Sequence, residues 1–360
     1  VRSSLFVASW WIAVASCTVD VTLARDPVTD AHGQDSSEDA DASSSADGGE
    51  TSAPDAELPD AATSDAGADA APQQWTRVFV PTNADLRGIW GSSSRDVWVV
   101  GDRGTLLHWT GTAWFSNPSP AGPVSYRDIW GSAANDVWAV GVDLSGLLSV
   151  AHYDGRSWLR WPLPPLRYAP RAIFGTARDD VWIVGGPFEY ASDSVLRWDG
   201  ARWNVVRTGG RATRYLDVGG TSPTDLWIVA LDDTLLRWRG AFELDAATLP
   251  VAVVSFELGL FASAAEEFWV TADAGILHRY TRGTWTSVDT GTRNSLRNVW
   301  GVDGRTLWAV GNRGTIVRFD GASWSVAEEV TPRTLLSVWA SSAADAWVIG
   351  EGGTVLHSVR

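Results

Sequence analysis

One spacing constrains this chain more than any other feature. A Trp recurs as Trp98, Trp138, Trp182, Trp227, Trp269, Trp308 and Trp347, at intervals of 39 to 45 residues. Around it runs a longer pattern: L-R-x-I-W-G, then D-V-W-x-V-G, a turn, L-L-H-W, and G-x-x-W. A unit of this length cannot bury its own apolar face, so successive units must pack on one another. Within each unit, short apolar runs are broken by Gly, Asp and Asn, the signature of strands and tight turns rather than helices. Four such runs per repeat describe a blade, and seven repeats predict an all-β, seven-bladed β-propeller.

The ends of the array predict how the ring closes. The seventh repeat stops at Val359-Arg360 after its third strand, and the run Trp75–Phe79 before the first full repeat is an outer strand without a blade. Counted with Trp114, Trp158, Trp203, Phe242, Trp285 and Trp324, Trp75 supplies the seventh outer strand. Residues 75–79 are therefore expected to complete the last blade and remove an exposed sheet edge.

With 23 Trp, a disordered polymer is excluded for most of the chain, and no apolar run approaches the ~18 residues of a membrane-spanning helix. The formal charge of −15 is unevenly placed. Between Thr18 and Gln74 there are 14 acidic residues against Arg25 alone, whereas residues 75–360 carry 29 acidic and 26 basic residues. The nearly neutral repeat region lacks the clustered basic charge that nucleic acid requires, so no nucleic-acid partner is expected.

Residues 1–17 place Arg2, an apolar stretch and small residues in the order of a secretory signal. Val14-Ala15-Ser16-Cys17 resembles the bacterial lipobox, which implies acylation of Cys17; Thr18 after it leans towards the outer membrane. Cys17 is the only cysteine, so neither a disulfide framework nor a thiolate metal site is expected. Residues 18–74 are too acidic and too poor in large apolar groups to fold, and as a coil would span about 40 Å. The expected organisation is a leader (1–17), an acidic tether (18–74) and the propeller (75–360), displayed as an exported lipoprotein in the periplasm or at the cell surface. The membrane is touched only through the lipid, and the propeller is expected to be a monomer.

Ile129-Trp130-Gly131-Ser132, Asp136-Val137-Trp138-Ala139-Val140-Gly141 and His152-Tyr153-Asp154-Gly155 with Trp158 resemble the Trp-rich, BNR-like propeller repeats of exported bacterial lipoproteins. The resemblance covers residues 75–360 and implies the propeller fold. Tyr153-Asp154-Gly155-Arg156-Ser157-Trp158 also resembles the Asp-box of sialidases, one residue shorter.

Two polar columns follow the repeat. Asp96, Asp136, Asp180, Asp225, Glu267 and Asp345 precede the second Trp, with Thr306 in the sixth repeat; their simplest use is turn capping or backbone bonding. The third strand carries His108, His152, Arg197, Arg237, Arg279, Arg318 and His357, expected to pack on aromatic neighbours such as Trp109, Tyr153 and Trp198 or to pair with the acidic column. Histidines spread over different blades cannot converge on a metal. No metal, cofactor or catalytic set is expected.

Function in a repeat protein is sought where one repeat departs from the rest. The second and third repeats carry longer loops, Val142–Leu148 and Gly186–Ser194. Where the chain enters the inner strand stand Arg87, Arg127, Arg171 and Arg297, against Leu216, Leu258 and Leu336 elsewhere. These arginines, with Tyr168, Phe188 and Tyr190, are the candidate binding surface for a protein, peptide or glycan that carries carboxylates. The leading expectation is a non-enzymatic binding or scaffold module. The alternative is a glycoside hydrolase using Glu189 with Asp193 or Asp217.

Overall fold

The computed structural model describes residues 73–163, 168–186, 194–208, 214–231, 234–244, 249, 258–327 and 330–359. All of them lie in the second of two compact units, Ala68–Arg360. Phe188, Glu189, Tyr190, Asp193, Cys17, the leader and the tether up to residue 72 lie outside the described residues.

The described residues form seven four-stranded antiparallel sheets, the blades of a β-propeller. Six blades take their strands in chain order from the inside outwards; in the seventh, Thr76–Arg77 lies outside Thr354–Val359, Asp345–Gly350 and Leu335–Ser342. Thr76 pairs with His357 and Arg77 with Leu356, so the first strand closes the ring as its sequence position requires. It is shorter than expected, two residues in place of Trp75–Phe79. Trp75 before it is buried against the sixth and seventh blades, whereas Phe79 has left the sheet and is 88% exposed.

Burial follows the position of each strand in its blade. The second strand of blade two, Asp136–Val142, is buried at every residue, whereas two of the three residues of its outer strand, Trp158–Arg160, are exposed. The repeating Trp of the second strand is at most 2% exposed in all seven blades. Most of these rings reach the outer Trp of the next blade: Trp98 meets Trp158 edge-on at 5.2 Å, Trp138 meets Trp203 at 5.5 Å, and Trp347 meets Trp114 at 5.3 Å. Each indole thus fills the widening gap between two sheets, and buries on the order of 200 Å² in doing so.

The Gly of I-W-G has a different reason. A Cβ on Gly131 would lie 2.7 Å from the ring of Trp90 in the preceding blade, and Gly175 and Gly91 stand in the same relation to Trp130 and Trp339. The first Trp of one blade therefore lies on the bare backbone of the next.

The acidic column does not cap turns. Asp96, Asp136 and Asp345 bond to the Nε2 atoms of His108, His152 and His357 at 2.5, 2.7 and 2.6 Å, and Asp180, Asp225 and Glu267 pair with Arg197, Arg237 and Arg279 at 2.7 to 2.9 Å. A Ser or Thr of the first strand, such as Ser132 or Thr176, donates to the same carboxylate. The basic groups stack on the repeating Trp rather than on their sequence neighbours: His108 lies 3.8 Å from Trp98, and Arg237 lies 4.4 Å above Trp227. Trp109, Tyr153 and Trp198 adjoin the basic residue in sequence and so face the opposite side of the strand.

In the hairpins Gly101–Gly104 and Gly311–Gly314, positive φ falls on Arg103 (60°) and Arg313 (55°) and on the Gly after each, whereas Gly101 and Gly311 are extended. Asp154, Asp199 and Asp320 fold the outer hairpins by accepting two backbone amides each, so the Asp-box-like segment is a turn device.

Candidate functional site

Each of six inner strands begins with a register slip, and the slipped residue is the one at the channel mouth. The ladder passes from Leu86 to Gly88, Tyr126 to Asp128, Pro170 to Ala172, Tyr215 to Asp217, Leu296 to Asn298 and Leu335 to Ser337. Arg87, Arg127, Arg171, Leu216, Arg297 and Leu336 are therefore bulge residues. A bulge breaks strict alternation and lets two consecutive side chains turn to the same side. Arg127 and Asp128 consequently line one cavity, as do Leu216 and Asp217.

That cavity, about 120 Å³, opens at the mouth of the central channel. Its upper ring is Arg87, Arg127, Arg171, Leu216, Leu258, Arg297 and Leu336; beneath lie Asp128, Ala172, Asp217, Asn298 and Ser337. All four arginines singled out in the sequence meet here. Tyr168 does not line it: at 4% exposure it is core, packed with Ile173, Trp138 and Trp198 between blades two and three.

The four guanidiniums are not equivalent. Arg87 forks onto Asp102 through Nε and a terminal nitrogen at 2.9 and 2.7 Å, with Asp85 3.7 Å away, and the Asp102 bond holds its pKa above the ordinary value. The hydroxyl of Ser125 completes the shell of Asp102. Arg297 donates to the amide oxygen of Asn312, a neutral group, at 2.9 Å. Arg127 and Arg171 have no hydrogen-bond or ion-pair partner among the described residues. Burial lowers the pKa of both, and repulsion adds to it: from Arg87 and Arg171 on Arg127, where the attraction of Asp102 opposes it in part, and from Arg214 and Arg87 on Arg171. Two partly buried cations on adjacent blades thus face one cavity without a carboxylate bonded to either among the described residues.

Asp128 and Asp217 in the lower ring escaped the sequence reading as a pair, because alternation would place Asp128 on the face opposite Arg127. Each staples its inner strand to the next blade. Asp128 accepts the amides of Ile129 at 2.9 Å and Ile173 at 2.8 Å; Asp217 accepts those of Val218 at 2.8 Å and Leu260 at 2.6 Å. Burial pushes their pKa values up to about 7 and about 8, and Asp128 adds to the shift of Asp217. A sequence signal exists: the column reads Gly88, Asp128, Ala172, Asp217, Gly259, Asn298, Ser337, polar groups alternating with small residues. The reason is steric, since a Cβ on Gly88 would lie 2.8 Å from the Asp128 backbone and one on Gly259 2.6 Å from that of Asn298.

The Arg87–Asp102 contact puts the hairpin between second and third strands on the mouth face. The equivalent, longer hairpin of blade two is folded by Asp143, whose carboxylate accepts the amides of Ser145 and Leu147, and leaves Leu144 85% exposed. The longer loop of blade three, with Phe188 and Tyr190, lies outside the described residues. Of the proposed hydrolase acids only Asp217 is described, and its carboxyl neighbour in the cavity is Asp128. Among the described residues no three His, Cys, Asp or Glu side chains gather where they could hold a metal ion.

No family model matches the chain, and no curated protein matches it. Solved propellers do. YCF48 bound to D1 peptide superposes with a TM-score of 0.63 at 19% identity, covering 81% of this chain and 96% of that one. YCF48 from Cyanidioschyzon merolae gives 0.64 at 18%, covering 79% and 98%. A catalytically inactive virginiamycin B lyase from Staphylococcus aureus with quinupristin gives 0.68 at 13%, covering 80% and 99%. At these identities the likeness is one of fold, and the fold is that of a seven-bladed β-propeller.

Proposed function

We propose that this protein is a non-enzymatic binding module whose channel mouth captures an acidic peptide segment of a partner protein. The observation that carries the reading is the pair Arg127 and Arg171, turned into one cavity by matching bulges and unpartnered among the described residues. Guanidinium forks match carboxylates in shape and charge, and a desolvated cation gains most from an anion that reaches it. The exposed Leu144 on the same face offers apolar contact beside the charged centre. The structure of YCF48 with a peptide supports the reading to the extent that a propeller of this shape can hold one. The lipobox-like Val14–Cys17 and the acidic tether support, as part of the same proposal, an exported lipoprotein that carries the module away from an envelope membrane.

The test is a fluorescent hexaglutamate peptide, acetylated and amidated at its ends, titrated into the protein and into an Arg127→Gln/Arg171→Gln variant. Binding by the native protein and its loss in the variant, with an unchanged melting temperature, is the expected result. Equal binding by both would sink the proposal.

A further inference from the structure

The cavity's lower ring adds a second chemistry to the anion site. Asp128 and Asp217 are partly buried at the floor of the cavity, and no cation bonds to either among the described residues; their oxygens are occupied by backbone amides from two blades each. The charged groups that share the cavity with them are each other and the rim arginines Arg87, Arg127, Arg171 and Arg297. Arg87 is answered by Asp102 and Asp85, and Asp102 also acts on Arg127; Glu351 acts on Arg87 and Arg297, and Arg214 on Arg171. A carboxyl group buried without a cation resists ionisation. Both groups accordingly keep their protons to about pH 7 and about pH 8.

This matters to whatever enters between Arg127 and Arg171. An ionised Asp128 or Asp217 repels an incoming carboxylate in a site where water screens poorly. The acid form removes that charge and supplies an O–H donor while its oxygens still accept the backbone amides. Short O–H···O⁻ bonds between an acid and a carboxylate are among the stronger hydrogen bonds.

We infer that the cavity takes a side-chain carboxylate of an acidic peptide, clasped by Arg127 and Arg171 and met from below by Asp128 and Asp217 in their acid form, so that capture takes up protons. The inference rests on the anion-binding reading above and adds to it a dependence on pH. No bond other than hydrogen bonds is made, and the protons come from solvent.

The experiment titrates the blocked hexaglutamate peptide into the full chain from about pH 6 to about pH 9 at constant ionic strength, a range over which its side chains, with pKa near 4.3, stay ionised. Affinity is expected to fall by at least about tenfold across that range, because each obligatory proton contributes up to tenfold per pH unit above the pKa of its site. The double variant Asp128→Asn/Asp217→Asn should bind with an affinity that changes by less than about twofold. Asn298 holds the same position in blade six, so the ring already carries this residue. If the double variant does not fold, each single variant should lose part of the slope. A flat profile in the native protein, or an undiminished slope in the variants, overturns the proton coupling and leaves anion binding standing. Failure to bind at any pH overturns both.

Discussion

His152 lies against Trp138 with ring centroids 4.0 Å apart, while its Nε2 meets Asp136 Oδ1 at 2.7 Å. The aspartate is 2% exposed and also accepts from Ser132. Asp136→Ala takes the acceptor from His152, which is partly buried, and from Ser132, which is exposed. It should lower the unfolding free energy by about 2 to 4 kcal/mol, read from urea denaturation. A loss below about 1 kcal/mol would mean that ring stacking, not the carboxylate, fixes the imidazole.

Two sets of carboxyls set opposite limits on stability with pH. Burial alone would raise Asp96 and Asp136, but bonds from His108 and Ser92, and from His152 and Ser132, outweigh it and hold both below the ordinary value. The unfolded chain then binds more protons than the folded one, so their contribution is present above the ordinary carboxylate range and is lost as pH falls through the depressed values. Asp128 and Asp217 are raised, to about 7 and about 8, so the folded chain binds more protons; their contribution is complete in acid and is lost as pH rises through those values. The melting temperature should peak in mildly acidic solution and decline on both sides. In Asp128→Asn/Asp217→Asn the alkaline decline should flatten, a result that thermal melts across pH would show directly.

Gly131→Ala places a methyl group 2.7 Å from the Trp90 ring, in an interface where neither side can retreat without moving a blade. A cost of about 1 to 3 kcal/mol is expected from overpacking, measured by chemical denaturation. Trp90→Leu in the same chain should recover part of it, because the smaller side chain leaves room.

The rim arginines should separate in their effect on stability. Arg87→Ala leaves Asp102 without its fork and should lower the melting temperature. Arg127→Gln and Arg171→Gln remove charges that burial and their neighbours already disfavour, and should leave the melting temperature unchanged or raise it. A fall comparable with that of Arg87→Ala would show that both cations hold blades together.

Blade number and ring closure were legible because the repeating Trp, its turn residues and the unmatched strand near Trp75 each follow from a period, and periods survive in a linear sequence. The convergence of Arg87, Arg127, Arg171 and Arg297 was legible for the same reason, as equivalent positions in a ring meet at its axis. The bulge at each of these positions was not. It adds one residue to one strand, leaves no composition mark, and decides that Asp128 and Asp217 share the cavity with the arginines. Tyr168 misled for a related reason: it precedes an inner strand, but its side chain turns between blades rather than to the mouth.

The pairing of Thr76 with His357 and Arg77 with Leu356 leaves a ring without a privileged starting point. The seventh blade takes three strands from residues 335–359 and its outer strand from Thr76–Arg77, so it alone is not covalently continuous among the described residues. A chain reopened between Ser116 and Ser125, with its present ends joined, would keep all seven sheets, and would move the cut to the connection that leads directly to Arg127.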